Sequence, residues 1–278
     1  MKILFVLEFY SPHLGGAETL FKNLCEGLVL RQHKVAVVTS HLPNTELREQ
    51  LNGVRIYRVK TPNHNKRYWF TFLAIPKVLN LAKEADVIST TTYNGAFPAW
   101  LASKIYRKPC VITVHEILGS LWSELQGMNR LSAWAHRFLE WLIIKLGFSQ
   151  YVGVSDYTSN AIRAYGKDAI RIYNGVDYDN FNPKNVARHS IRQSLKLGDC
   201  FVYLYYGRPG LSKGVEYLVR AVRLIQNKIP DSKLLLLLGN EPSDRFRMVV
   251  GMIKVLGIED NVILMDSVPY IALPDYIA

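Results

Sequence analysis

Short apolar runs alternate with amphipathic helical segments along most of this chain, and that alternation limits its fold more than any single residue does. KILFVL (2–7), KVAVVTS (34–40), VRIYRV (54–59), DVISTT (86–91), CVITVH (110–115) and YVGVS (151–155) each read as a strand. Helical segments lie among them. Residues 16–31 carry Ala17, Leu20, Phe21, Leu24 and Leu28 on one stripe. Others end near Lys83, span 96–106, end near Phe148, and span 156–166, where Asp156 is a candidate N-cap, Ser155 before it reads as a strand-end helix cap and Gly166 is a stop. Strands joined through helices pair in parallel, and a parallel sheet is covered on both faces. The stretch RIYNGVDYDNFNPKN (171–185) breaks the rhythm with Asn, Asp, Gly and Pro, and reads as loop. A second series follows: CFVYLYY (200–206), a helix at 213–228, KLLLLLG (233–239), a helix from about Ser243 to Leu256, and NVILM (261–265). The expectation is therefore two α/β units. The second shows three strands before LPDYIA (273–278), so it is expected to be incomplete or to need a partner chain as cover.

Bulk properties narrow the function. A chain of 278 residues with 49% hydrophobic and 21% charged residues is a packed protein rather than a disordered one. Its formal charge of +11 suits nucleotide phosphates, nucleic acid or an anionic membrane face. No RNA-recognition or zinc-finger pattern accompanies the charge, which argues against a nucleic-acid reader. Cys25, Cys110 and Cys200 lack metal or redox spacing and read as reduced, buried thiols of a cytoplasmic protein. The opening MKILFVLEFY is broken by Glu8 and reads as a strand, not a signal peptide.

Two glycine-bearing turns carry the chemistry. YYGRPGLSKG (205–214) connects a strand to a helix, with Val215, Leu218, Val222 and Ile225 on one helix face and Glu216, Arg220 and Arg223 off it. Ligands of open α/β sheets bind at such strand ends, and the N–H groups of a helix start attract anions. Gly207 and Gly214 let the backbone approach, and Arg208 and Lys213 add two cations, so the turn suits a diphosphate. In the first unit EFYSPHLGGAETL (8–20) follows the first strand, with Gly15 and Gly16 at a helix start and Glu18 in its first turn. Neither turn has the G-x-G-x-x-G form, which disfavours a nicotinamide or flavin oxidoreductase.

The ordered set GGAE, TVHE with His115, VSDYTSNAI, NGVD and GRPGLSKG resembles glycosyltransferase family 4, whose members share the GT-B architecture of two Rossmann-like domains. The resemblance implies an acceptor-side domain at 1–172, a linker at 173–199 and part of a nucleotide-sugar-binding domain at 200–278. It implies a retaining, hexosyltransferase-like enzyme that moves sugar from a UDP-, GDP- or ADP-sugar to a saccharide or lipid-linked acceptor, without a cofactor or metal. Gly15, Gly16 and Glu18 would meet the donor from the first domain. Arg208 and Lys213, with Gly207, Gly214 and Gly239, would hold its diphosphate from the second. His115 would flank the anomeric centre, and Asn174, counted among the donor-binding residues, would with Asp177 shape the hinge beside a common cleft. The family's later Glu-x7-Glu segment is not within these residues, and Asp266 stands where the family has glycine. The alternative is a non-catalytic GT-B-like remnant or partner subunit that keeps the diphosphate turn. Finally, HNKRYWFTF (64–72) and NRLSAWAHRFLEWLIIK (129–145) mix cations with aromatics, as segments resting peripherally on an anionic membrane do.

Overall fold

The computed structural model describes residues 1–13, 15–62, 66–125, 128–186, 188–210 and 213–277. Residues 64 and 65 of the basic aromatic segment, and Leu211 and Ser212 of the second glycine turn, lie outside the described residues. The chain divides into two compact units, Met1–Gly175 and Val176–Ala278.

The first unit runs β1 (Lys2–Val6), α1 (Gly16–Leu30), β2 (Lys34–Ser40), β3 (Arg48–Leu51), β4 (Val54–Val59), α2 (Lys66–Leu73), α3 (Ile75–Ala82), β5 (Val87–Thr91), α4 (Ala96–Tyr106), β6 (Cys110–Val114), α5 (Arg130–Lys145), β7 (Gln150–Gly153), α6 (Asp156–Ala164) and β8 (Ala169–Arg171). Its sheet has the order β3-β4-β2-β1-β5-β6-β7-β8, parallel except where β3 pairs antiparallel with β4. Side chains alternate across β1 as the strand period requires. Leu4 and Val6 join one buried cluster with Ile88, Ile112 and Ile144, whereas Ile3, Phe5 and Leu7 join a second with Phe21 and Cys25. The two-sided cover expected for a parallel sheet is thus present.

Some details depart from the sequence expectation. Strand β3 was not expected; Asn52 and Gly53, both at positive φ (48° and 81°), turn it back onto β4. Two helices, α2 and α3, replace the single one ending near Lys83. Of the two cap candidates, Ser155 is the one that caps α6, as the strand-end reading of it expected: its hydroxyl accepts from Thr158 N at 3.1 Å. Asp156 instead pairs with Arg171 at 2.6 Å. Burial pushes the Cys25 and Cys110 thiols up to about 12, but Cys200 is only half-buried.

The second unit contains α7 (Arg188–Ser194), β9 (Val202–Gly207), α8 (Val215–Gln226), β10 (Lys233–Leu238), α9 (Ser243–Val255), β11 (Val262–Met265) and α10 (Leu273–Ile277). Its parallel sheet has the order β11-β10-β9. Leu234, Leu236 and Leu238 pack against Val215, Val219 and Val222 of α8 and Val249 and Ile253 of α9. The segment expected as linker, 173–199, is structured in part. Residues from Val176 onward cluster with the second unit, where α10 packs on α7. Glu216, placed off the core face from sequence, is only 5% exposed. The buried stripe centres on Val215, Val219 and Val222, leaving Leu218 and Ile225 half-buried, and Glu216 lies in the first turn, where a helix favours a carboxylate.

Candidate active site

In the first unit, strand order reverses between β1 and β5, because β2 lies on one side of β1 while β5 to β8 extend on the other. Such a switch point opens a crevice at the carboxyl ends of the strands. The loop after β1 enters it and delivers Gly15 and Gly16 to the start of α1. Gly15 precedes the first helical residue, and the Glu18 carboxyl lies over it: a Cβ on Gly15 would stand 2.1 Å from Glu18 Oε2. Glu18 Oε1 lies 3.1 Å from His13 Nδ1, an ion-pair distance without hydrogen-bond alignment. His13 stacks on Phe9, with ring centroids 4.3 Å apart. Buried Arg58 steadies the loop, its Nη2 donating to Ser11 O at 2.8 Å and pairing with Glu49 on β3.

His115 follows β6 at the same end of the sheet. Its ring meets the edge of Phe21 at 5.9 Å, and its Nε2 is buried without a hydrogen-bond partner among the described residues. Burial lowers its pKa below the usual 6.5, while the field of Glu18 acts in the raising direction. The net effect is a neutral imidazole at pH 7 beside a carboxyl group. Gly15, Gly16, Glu18 and His115 therefore converge within one unit.

Two groups that sequence reasoning passed over support this site. Glu8, treated only as a break in the first apolar run, is buried just beyond β1 and accepts from Asn94 Nδ2 at 2.7 Å. The next residue, Gly95, lies so close to β1 that a Cβ there would be 2.5 Å from Val6 O. Glu140, on α5, is 2% exposed and holds the loop that follows His115. Its carboxyl oxygens accept from Leu118 N and Gly119 N, each at 2.9 Å, and from Trp122 Nε1 at 3.1 Å. The available signal for Glu140 was an acid placed in the helix stripe of Ala133, Ile143 and Ile144.

In the second unit the turn after β9 behaves differently. Arg208 and Lys213 are exposed, and neither makes an ion pair among the described residues. Tyr205 donates its hydroxyl to Arg208 O at 3.0 Å. Gly239 N donates to Gly207 O at 3.0 Å, and a Cβ on Gly239 would sit 3.5 Å from Arg208 Cγ, so the arginine stem crosses this glycine. Gly214 precedes α8 at φ 65°, a left-handed conformation that glycine adopts without strain. Lys213 N donates to Gly210 O at 3.0 Å, which holds the lysine at the helix entry. Asn174 is exposed in the coil after β8, and Asp177 Oδ1 accepts from Asn180 N at 3.1 Å. These two fall on opposite sides of the division at 175 and 176.

Two α/β units, each presenting glycine turns at the carboxyl ends of parallel strands, define the GT-B class. Solved structures share the fold. Sucrose-phosphate synthase from Thermosynechococcus elongatus superposes with a TM-score of 0.79 at 19% identity, covering 99% of this chain and 72% of that one. Anabaena HepE in complex with UDP-glucose gives 0.75 at 21% identity, covering 100% of this chain and 71% of that one. The family model for Glycosyltransferase Family 4 matches residues 14–180, and the chain belongs to that family. An uncharacterized glycosyltransferase of Methanocaldococcus jannaschii is 28% identical over 80% of this chain and 59% of its own length. A GDP-mannose-dependent α-(1-6)-phosphatidylinositol monomannoside mannosyltransferase of Mycolicibacterium smegmatis is 30% identical over 98% of this chain and 69% of its own length. The chain thus spans three-fifths to seven-tenths of the length of these relatives.

Proposed function

We propose that this chain carries the core of a nucleotide-sugar-dependent glycosyltransferase that moves a hexosyl group to a saccharide or lipid-linked acceptor. The observation that carries this is the turn after β9, where Arg208 and Lys213 stand exposed and unpaired among the described residues at a helix start. In glycosyl transfer the bond from the anomeric carbon to the β-phosphate oxygen breaks, and its electron pair stays on the leaving diphosphate. Two cations and the N–H groups of α8 stabilise that charge more as it develops than before, which is what accelerates the step. Gly15 and Gly16 would let the α1 backbone approach the donor, with Glu18 beside it. His115, neutral at pH 7, would hydrogen-bond the transferred sugar through Nε2. Gly207, Gly214 and Gly239 would keep the diphosphate turn open. Asn174, with Asp177, would shape the hinge on the donor side.

The names of relatives favour a nucleoside diphosphate donor: GDP-mannose for the mycobacterial protein and UDP-glucose for HepE. The mycobacterial protein also acts on a phosphatidylinositol mannoside, which favours a lipid-linked acceptor at a membrane face. No helix among the described residues is long and apolar enough to cross a bilayer, so contact would be peripheral. Transfer is expected to retain anomeric configuration without a bound metal, which product NMR and chelator treatment would check.

Calorimetry with UDP, GDP and ADP tests the central point. Lys213→Ala should cost about 1.5–3 kcal/mol of nucleoside diphosphate affinity through loss of a charge-assisted hydrogen bond. Unchanged binding would remove the diphosphate role, and binding without donor hydrolysis or transfer would favour the non-catalytic alternative.

A further inference from the structure

The geometry points to a docking surface for an anionic lipid bilayer on the outer face of α5 and the adjacent α2. Helix α5 buries Ala133, Glu140, Ile143 and Ile144, so an ordinary surface helix would be polar on the other side. Instead Trp134, Phe138 and Trp141 are 63%, 48% and 42% exposed. They stack in a row, with centroids 5.6 Å apart between Trp134 and Phe138 and 5.8 Å between Phe138 and Trp141. Leu131 extends the row toward the helix start and is also exposed. On α2, Tyr68, Trp69 and Phe72 are exposed as well, and Tyr68 Oη lies 3.4 Å from His136 Nε2, which places the two helices side by side. The result is one aromatic ridge rather than scattered apolar residues.

Charge selects the occupant. The single acid of α5 is Glu140, and it faces inward to hold the loop after His115, so the outer face of this helix carries no carboxyl group. Arg130 and Arg137 are exposed on the same helix. The stretch from Gln50 to Lys83, which contains α2, has no aspartate or glutamate and several lysines and arginines. Aromatic side chains at the surface with cations around them, and no carboxyl group on the outer side of either helix, match the boundary between headgroups and acyl chains of an anionic leaflet. A protein partner for so basic a ridge would itself need an acidic rim. The proposal rests on the reading of an acceptor at a membrane face, and its test is separable from glycosyl transfer, since lipid binding is read without donor or acceptor.

The test is flotation of the full chain with vesicles of phosphatidylcholine alone and of phosphatidylcholine containing one-third phosphatidylglycerol. The expected result is binding to the anionic vesicles only, weakened by added salt. The combined change W134S/F138S/W141S should lower partitioning at least ~10-fold, and R130Q/R137Q should lower it roughly tenfold or more on anionic vesicles. Circular dichroism and nucleoside diphosphate titration establish that each variant is folded. Should a variant fail to fold, quenching of wild-type tryptophan emission by brominated lipid gives the same answer. Absence of flotation, equal flotation with neutral vesicles, or undiminished partitioning of the folded triple variant would overturn the proposal. So would lipid-free dimerisation that the triple variant abolishes, since a second copy would then be the occupant.

Discussion

The two glycine turns both lead from a parallel strand into a helix, Gly15 extended and Gly214 left-handed, and their electrostatics are opposite. At the first, the acids have partners within the unit: Glu18 lies against His13 and Glu8 is bonded to Asn94, while His115 is half-buried, its pKa lowered by burial. At the second, Arg208 and Lys213 stand in solvent without carboxyl partners among the described residues. The first turn is half-buried and backed by the buried Glu8 and Asn94, where an unpaired polar group costs stability. The second is built on a half-exposed sheet end, where cations cost little until an anion arrives. A change at the first should therefore move folding, and a change at the second should move binding.

The sharpest way to break this contrast is Glu140→Ala. It leaves Leu118 N, Gly119 N and Trp122 Nε1 without their acceptor, and should destabilise the first unit by about 3 kcal/mol. Chemical denaturation would show the loss, and no change in midpoint would mean that the loop is held by something else. At the second turn, Lys213→Ala should weaken diphosphate binding as stated above yet shift unfolding by less than about 0.5 kcal/mol, as exposed substitutions do. A large loss of stability there would erase the distinction. Gly95→Ala should cost about 1–3 kcal/mol, because the new methyl meets the Val6 carbonyl, whose strand cannot retreat. Wild-type stability with this variant would show that β1 and α4 can separate at little cost.

The smallest effect is the dependence on pH. Burial lowers the folded-state pKa of His115 below 6.5, so in the window beneath 6.5 the unfolded chain binds more protons than the folded one. Stability should fall as pH drops from 7.5 through that window, and His115→Gln should flatten the slope. A slope unaffected by the substitution would assign it to other groups.

Much of the fold was legible because its signals are local. The strand runs are apolar and short, the helices carry a repeating stripe, and the glycine turns sit where those patterns change. The same holds for the candidate site as far as Gly15, Gly16, His115, Arg208 and Lys213 are concerned, since each is set at the end of a strand or the start of a helix. Strand β3 was also within reach, because Asn52-Gly53 is a hairpin signal, but Arg48–Leu51 has little apolar pattern to announce a strand.

The sequence by itself thus determined the α/β class, the number of units and the positions of the two glycine turns, because periodicity and turn chemistry act over a few residues. Only the tertiary structure decided which charged groups are inside. Glu8 meets Asn94 from 86 positions away, and Glu140 reaches back 22 positions to Leu118. Nothing local distinguishes such an acid from one in solvent; its place follows from which strands become neighbours and which helix covers them. The tertiary structure likewise left Trp134, Phe138 and Trp141 outside, because Ile143, Ile144 and Glu140 already fill the inner face of the same helix.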